Sequence, residues 1–309
     1  MPNGMLTRAD GTPGEVRDCR NQMLANCNWL VPAEDPSALC ASCRLTSVRP
    51  DDDDGSALAA FADAEGAKRR LIVQLTELGL PIISRADDPE FGLTFEFLSS
   101  RNRRVTTGHE EGTITLDLSE SDDAHRAFVA QQLGEPYRTV LGHLRHEIGH
   151  YYWPVLVVQN GRLDEFRELF GDERVSYEDS ISGHYDDDGS IKPSDVDWSS
   201  THVSQYATMH PWEDWAETFA HYLHIHAGLS AARDYGLRVD EPSRGAGLAA
   251  ASSSPSSATD EPIGAWLGLS LALNGMARAI GQPDLYPFVL SPRVVAKLDF
   301  IHRAIVSGA

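Results

Sequence analysis

The chain has 309 residues, of which 41% are hydrophobic and 23% are charged, a composition that excludes collagen-like and wholly disordered chains. Its formal net charge is −20. Such an acidic surface repels phosphate groups and anionic headgroups, so we expect no nucleic-acid or membrane partner, whereas cationic peptides would be attracted. Residues 1–17 contain no apolar signal stretch, and no run of about 18 apolar residues occurs anywhere, so a cytoplasmic location is the default expectation.

Four cysteines lie close together near the start of the chain, at Cys19, Cys27, Cys40 and Cys43. The last two have the C-x2-C spacing of a metal-binding knuckle. The cluster predicts a structural four-cysteine zinc site in a small module over residues 1–50, with free thiols or a redox pair as alternatives. The absence of other cysteines argues against a disulfide-stapled secreted fold.

The remaining elements are predicted in chain order from the spacing of apolar residues. An acidic run at 51–54 links the module to a second domain, residues 56–309. Helices are expected over 56–80, from about Pro136 to about Val158, and from Pro211 to about Ala227, with two more in 262–309. Strands are expected over 93–98 and 113–118. Residues 241–261 are of low complexity and predict a disordered insertion, and the acid-rich residues 180–199 predict a surface loop.

These elements give an α+β fold class, a mainly helical domain with a small sheet, preceded by the cysteine-bearing module. Pro154 should bend or end the helix that starts near Pro136, because a proline inside a helix removes a backbone hydrogen bond.

The long central helix carries the sequence His146-Glu147-Ile148-Gly149-His150. Two histidines four residues apart lie on one face of a helix, where both imidazoles can bind a single ion. Glu147 lies at the edge of that face, from which its carboxylate can reach a metal-bound water. The motif predicts a zinc site with a general base; the alternative is a helix whose histidines only cap neighbouring backbone groups.

A catalytic zinc ion takes three protein ligands and leaves one position for water. The helix that begins at Pro211 offers Glu213 and Glu217, which are four residues apart and share a helix face, so either could be the third ligand. His221 is the candidate if Glu213 faces away, and Glu217 or Asp214 could hold a ligand histidine by its other ring nitrogen.

The combination of H-E-x-G-H with the downstream sequence E-x-x-A-E-x-F resembles the gluzincin metallopeptidases. More narrowly, the stretch 137–153, the stretch 211–224 and the sequence Asp284-Leu285-Tyr286-Pro287-Phe288 resemble a bacterial family of zinc-binding metallopeptidases. This resemblance covers most of residues 19–309. Members of that family often begin with a zinc-ribbon-like region that has several C-x2-C pairs, of which this chain has one.

The helix at 211–224 is also similar to the catalytic domain of anthrax lethal factor, in which a tyrosine seven residues before the ligand glutamate assists catalysis. The resemblance implies a zincin-like domain with Glu213 as the third ligand and Tyr206 as the hydrogen-bond donor to the developing oxyanion. It also implies that an edge strand binds extended substrate, and that the strand at 113–118 could serve.

Together these residues predict a zinc-dependent metallopeptidase that acts on a peptide or protein substrate. Glu147 accepts a proton from the metal-activated water, which then attacks the peptide carbonyl. The expected cofactor is Zn²⁺, one catalytic ion and a second, structural ion if the cysteines bind one. The alternatives are a non-catalytic zinc-binding or interaction protein, and a metal-dependent hydrolase of non-peptide substrates.

Overall fold

The computed structural model describes residues 6–7, 13–100, 105, 107–121, 139–177, 179–180, 197–239 and 260–308. The chain divides into two compact units. The first comprises Met1–Val129 with Thr139–Tyr151, and the second comprises Ala130–Arg138 with Tyr152–Ala309. The predicted class, mainly helical with small sheets behind a cysteine-bearing module, is confirmed. The division into residues 1–50 and 56–309 stays a prediction.

The cysteine module of the first unit contains two small antiparallel sheets. Strands β1 (Leu6–Thr7) and β2 (Pro13–Gly14) form one, and β3 (Val16–Asp18) and β4 (Leu30–Pro32) form the other. A 3-10 turn at Cys43–Leu45 then leads directly into β5 (Thr46–Val48).

Helix α1 (Gly55–Glu77) follows the acidic run. Asp54 is its N-cap, and the Asp54 carboxylate accepts a hydrogen bond from the backbone N–H of Ala57 over 3.1 Å. A carboxylate at this position satisfies one of the unpaired donors of the first helical turn. The acidic linker thus ends as a helix cap, and α1 buries Phe61 and Leu71 in the core of the unit.

The larger sheet of the first unit has four strands in the order β5-β6-β8-β7. Strand β6 (Thr94–Leu98) is parallel to both β5 and β8 (Thr113–Asp117). The outermost strand, β7 (Gly108–Glu110), runs antiparallel to β8. The sequence predicted β6 and β8 from their alternation, but β5 and β7 span three residues each, too few to show it.

One face of this sheet is buried and the other is partly open. Phe95 and Phe97 of β6 and Ile114 and Leu116 of β8 are buried. The residues between them in each strand are only partly buried. Since β8 lies between β6 and β7, the prediction that 113–118 is an edge strand is wrong. Among the described residues, β7 is the strand at that edge.

Helix α2 (Val140–Trp153) carries the histidine motif and belongs to the first unit up to Tyr151. It buries Leu144 and Ile148, as the apolar spacing predicted. The α-helix ends where Pro154 was expected to disturb it, and Pro154–Val158 continue as a π-helical turn. The predicted start near Pro136 lies outside the described residues.

The second unit is helical in its described part. It contains α3 (Leu163–Phe170), α4 (Pro211–Asp234), α5 (Asp260–Ala279) and α6 (Pro292–Gly308). Helix α4 extends seven residues past the predicted end at Ala227. Residues 260 and 261 of the predicted insertion begin α5, whereas 241–259 lie outside the described residues, as do 181–196 of the acid-rich segment.

Aromatic side chains hold these helices together. Trp215 of α4 is fully buried, and its ring centre lies 6.2 Å from that of Phe166, 5.9 Å from that of Phe170 and 6.1 Å from that of Phe300. Edge-on contacts of this kind are favourable for aromatic rings. No helix within the described ranges combines the length and the apolarity that crossing a bilayer requires.

Candidate metal centre

Helix α2 brings His146 and His150 together one turn apart. Their Nε2 atoms are 3.2 Å apart, and the ring planes are inclined by 78°. Two nitrogen ligands of one tetrahedral zinc ion, each about 2.0–2.1 Å from the metal, would be about 3.3 Å apart. The two imidazoles therefore have the spacing that a single zinc ion requires.

Glu147 is buried beside this pair, and His143 holds its carboxylate. His143 Nε2 and Glu147 Oε1 are 3.0 Å apart. Burial disfavours the ionised carboxylate, but the hydrogen bond from His143 and the positive charges of the neighbouring histidines outweigh it and lower the pKa of Glu147. No role was predicted for His143 from the sequence, although its four-residue spacing to Glu147 on one helix was the signal for this contact.

Strand β7 is tied to the histidine helix by His109. The His109 ring stacks on that of His150, with ring centres 6.4 Å apart. The backbone N–H of Gly112 donates to His109 Nε2 over 3.1 Å. Burial, with a smaller contribution from His150, lowers the pKa of His109 to about 4. His109 is therefore neutral at ordinary pH, and it anchors the edge strand beside the helix.

Glu213 lies in the first turn of α4 and is buried. The hydroxyl of Tyr177 donates to Glu213 Oε1 over 2.8 Å, a contact that no sequence pattern indicated. His210 immediately precedes the helix, and its Nδ1 accepts from the backbone N–H of Trp212 over 3.1 Å. These two contacts thus hold the first turn of α4, in which Glu213 lies.

His146 and His150 belong to the first unit and Glu213 to the second. Each of the three side chains offers one atom that can ligate a metal ion.

The other candidates on α4 have different contacts. Ser204 donates to Glu217 Oε2 over 2.7 Å, and His221 Nδ1 is 2.9 Å from the hydroxyl of Tyr286. Asp214 pairs with the buried Lys297 of α6, whose Nζ lies 2.5 Å from Asp214 Oδ2. The suggestion that Asp214 holds a ligand histidine stays a prediction, while this ion pair occupies one of its carboxylate oxygens.

Tyr206 begins a 3-10 turn, Tyr206–Thr208, that precedes α4. Its side chain is partly buried. Its role as an oxyanion donor stays a prediction.

The four cysteines form a second cluster, within the first unit. Cys19, Cys27, Cys40 and Cys43 are buried and free of disulfide bonds, and their sulfur atoms lie within 4.8 Å of one another. The sulfurs of Cys27 and Cys40 are 3.7 Å apart, close to the separation of about 3.8 Å expected for two thiolates on one tetrahedral zinc ion.

Backbone amides and one carboxylate surround these sulfurs. The N–H of Cys40 points to Cys19 Sγ and that of Cys43 to Cys40 Sγ, each over 3.4 Å. Hydrogen bonds from Cys43, opposed by burial, lower the pKa of Cys40 to about 5. Burial raises the pKa of Cys27, and the hydrogen bond with Cys40 together with burial raises that of Cys43. Behind Cys43 lies Glu65 of α1, with Oε2 3.8 Å from the sulfur.

Comparison with known proteins agrees with both clusters. Residues 57–304 match the family described as "Putative zinc-binding metallo-peptidase", and residues 3–54 match a zinc-ribbon domain. A protein of Mycobacterium bovis and proteins of two strains of Mycobacterium tuberculosis are each 48% identical over 297 residues, which cover 94% of this chain and 83% of the relative. Each of these relatives is named an uncharacterized protein. None of the solved structures is significantly similar to the chain.

Proposed function

The chain belongs to the "Putative zinc-binding metallo-peptidase" family, and we propose that it hydrolyses peptide bonds with a zinc ion bound by His146, His150 and Glu213. The observation that carries the proposal is the histidine pair, whose Nε2 atoms are 3.2 Å apart beside a buried glutamate. A structural zinc site needs no such carboxylate, whereas hydrolysis needs a base next to the water. We also propose a structural zinc ion at the four cysteines.

The chemistry divides between the metal and three side chains. When bound, zinc lowers the pKa of water to about 7 and polarises a carbonyl group. The Glu147 carboxylate accepts the proton of the attacking water and transfers it to the leaving amine. His143, at 3.0 Å, holds that carboxylate in place. The Tyr206 hydroxyl donates a hydrogen bond to the oxyanion that forms on the substrate.

The substrate is proposed to be an extended peptide that pairs with the outer edge of β7. This strand lies beside the metal-binding helix, because His109 stacks on His150. An exposed strand edge offers backbone donors and acceptors that an added strand can satisfy. The net charge of −20 supports a peptide partner over nucleic acid.

Replacement of Glu147 tests the catalytic proposal. We expect Glu147→Gln to keep its zinc and to lose hydrolysis of a protein or peptide substrate by about a hundredfold or more, because the amide cannot accept the proton. Hydrolysis and metal content are measured on the same samples. Glu168→Gln, at an exposed position of α3, is the matched control and should retain full activity.

Full hydrolysis by Glu147→Gln would show that the base lies elsewhere. An unaltered protein that binds zinc and cleaves no peptide would instead support a non-catalytic zinc-binding protein, and cleavage of esters or amides alone would support a hydrolase of non-peptide substrates.

Metal content tests the two-site proposal. Elemental analysis should find about two zinc ions per chain. His146→Ala should lose one of them, and Cys40→Ser should lose the other. Equal metal content in the unaltered protein and in both variants would contradict the assignment of ligands.

A further inference from the structure

Helix α1 places two fully buried charged side chains behind the cysteine cluster. Glu65 and Lys68 each have 0% of their side-chain surface exposed, and Lys68 Nζ lies 2.6 Å from Glu65 Oε1. The other oxygen, Oε2, is 3.8 Å from Cys43 Sγ and 3.9 Å from the guanidinium of Arg69. Buried charges are costly unless they meet partners, and peptide hydrolysis makes no use of these.

The other neighbours of Lys68 connect the cysteine cluster with the sheet. Lys68 Nζ donates to Thr46 Oγ1, and Thr46 opens β5 directly after the 3-10 turn of Cys43. The ammonium lies 5.2 Å from the ring centre of Phe95 and 5.5 Å from that of Phe97, both on β6. Lys68 is therefore enclosed by the cysteine module on one side and the sheet on the other.

The charge of a loaded cysteine site explains a cation at this position. A zinc ion bound by four thiolates carries two net negative charges, and Glu65 adds a third. Backbone N–H groups at Cys40 and Cys43 offset part of this charge, but the full positive charges come from Lys68 and Arg69. The Arg69 guanidinium also has a second partner, because it donates to the carbonyl of Asn26 over 3.1 Å.

We propose that Lys68, held by Glu65, compensates the negative charge of the four-cysteine zinc site, so that zinc binding there depends on the packing of α1 against the sheet. Lys68 and Glu65 are positioning residues in this arrangement, since neither ligates the metal. The inference rests on the structural zinc ion of the proposed function and not on peptide hydrolysis.

The test measures zinc at the cysteine site alone. All proteins are full-length and carry His146→Ala, which removes the histidine-bound ion. Zinc affinity is measured by competition with a chromogenic chelator, and cobalt substitution reports whether four thiolates still bind. The variants are Lys68→Met, which removes the charge; Lys68→Arg, which keeps it; and Glu65→Gln, which keeps an acceptor for Lys68 without the negative charge.

Charge compensation predicts opposite effects at the two positions. Lys68→Met should weaken zinc binding by about 10- to 100-fold, as loss of an outer-shell partner does elsewhere, and Lys68→Arg should restore most of it. Glu65→Gln should bind zinc as tightly as the parent or more tightly. Lys297→Met, which removes another buried lysine paired with a carboxylate, should lose stability without losing zinc.

Several results would overturn the inference. If the ion pair is purely structural, Glu65→Gln and Lys68→Met should weaken zinc binding equally. If Lys68→Met does not fold, weaker zinc binding by Glu65→Gln would by itself overturn the inference. Equal zinc loss in Lys297→Met would show a general effect of stability. A parent with no zinc would overturn the inference together with the structural zinc ion, and would leave hydrolysis by the unaltered protein as a separate question.

Discussion

Tyr177 illustrates how single contacts define the metal centre at the scale of the residue. Its hydroxyl donates to Glu213 Oε1 over 2.8 Å, which orients the carboxylate proposed as the third ligand. Groups that hold a metal ligand in place commonly affect metal affinity almost as strongly as the ligand does. His143 has the corresponding role for Glu147.

Replacement of Tyr177 by Phe removes this hydrogen bond and little else. We expect the affinity of the histidine-bound zinc to fall by about tenfold or more, because the carboxylate loses its preferred orientation. Zinc competition in a Cys40→Ser background isolates this site.

The matched control is Tyr235→Phe, since Tyr235 is 81% exposed at the end of α4. Unchanged zinc affinity in Tyr177→Phe would show that Tyr177 has no part in orienting the ligand.

At the scale of the element, strand β7 borders a groove. A groove of ≈ 590 Å³ lies along this strand and β8. The carboxylates of Glu96, Glu110 and Glu111 line it, together with Arg85. Three carboxylates against one guanidinium leave the groove with a net negative charge.

A peptide paired with β7 would place alternate side chains on the face of this groove. We expect peptides with Lys or Arg at such positions to be cleaved faster than neutral ones. Glu110→Gln should lower kcat/KM for the basic peptide by about two- to fivefold, as expected for a solvent-exposed ion pair, and leave the neutral peptide unaffected.

High salt should reduce the same preference, because exposed charges are screened. The control variant is Glu77→Gln, at an exposed position at the end of α1. It should leave the preference for the basic peptide unchanged. If Glu110→Gln slows both peptides equally, the substrate does not bind along this groove.

Acid sensitivity is a property of the whole molecule, and His202 contributes to it. Burial, with smaller contributions from Lys297 and Arg293, lowers the pKa of His202 from 6.5 to about 4. Between these values the unfolded chain binds a proton at this position and the folded chain does not. Stability is therefore lost as the pH falls from about 6.5 towards about 4.

Replacement of His202 by Asn removes this titration. We expect the decrease in Tm between pH 7 and pH 4.5 to be smaller in His202→Asn than in the unaltered protein. The reason is that the unfolded variant no longer takes up a proton at this position. The comparison does not depend on the Tm of the variant at neutral pH. Thermal unfolding followed at several pH values gives the slope. A slope equal to that of the unaltered protein would contradict the depressed pKa of His202.

The parts of the molecule that were predictable are those with a local cause. The spacing of His146 and His150 within one helix fixes their common face. Proline stereochemistry predicted a bend or end of α2 at Pro154, where the α-helix changes to a π-helical turn. The C-x2-C pair indicated the cysteine cluster, although Cys19 and Cys27 lack that spacing. Strands β5 and β7 were missed because three residues carry too little periodicity.

By itself, the sequence determined the helical and strand segments with clear periodicity, the two candidate metal-ligand clusters and the glutamate beside the histidines. The tertiary structure alone decided that Asp214 pairs with Lys297 and that β7 rather than β8 forms the sheet edge. The physical reason is the same in both cases, because ion pairs and strand order depend on contacts between segments far apart in the chain.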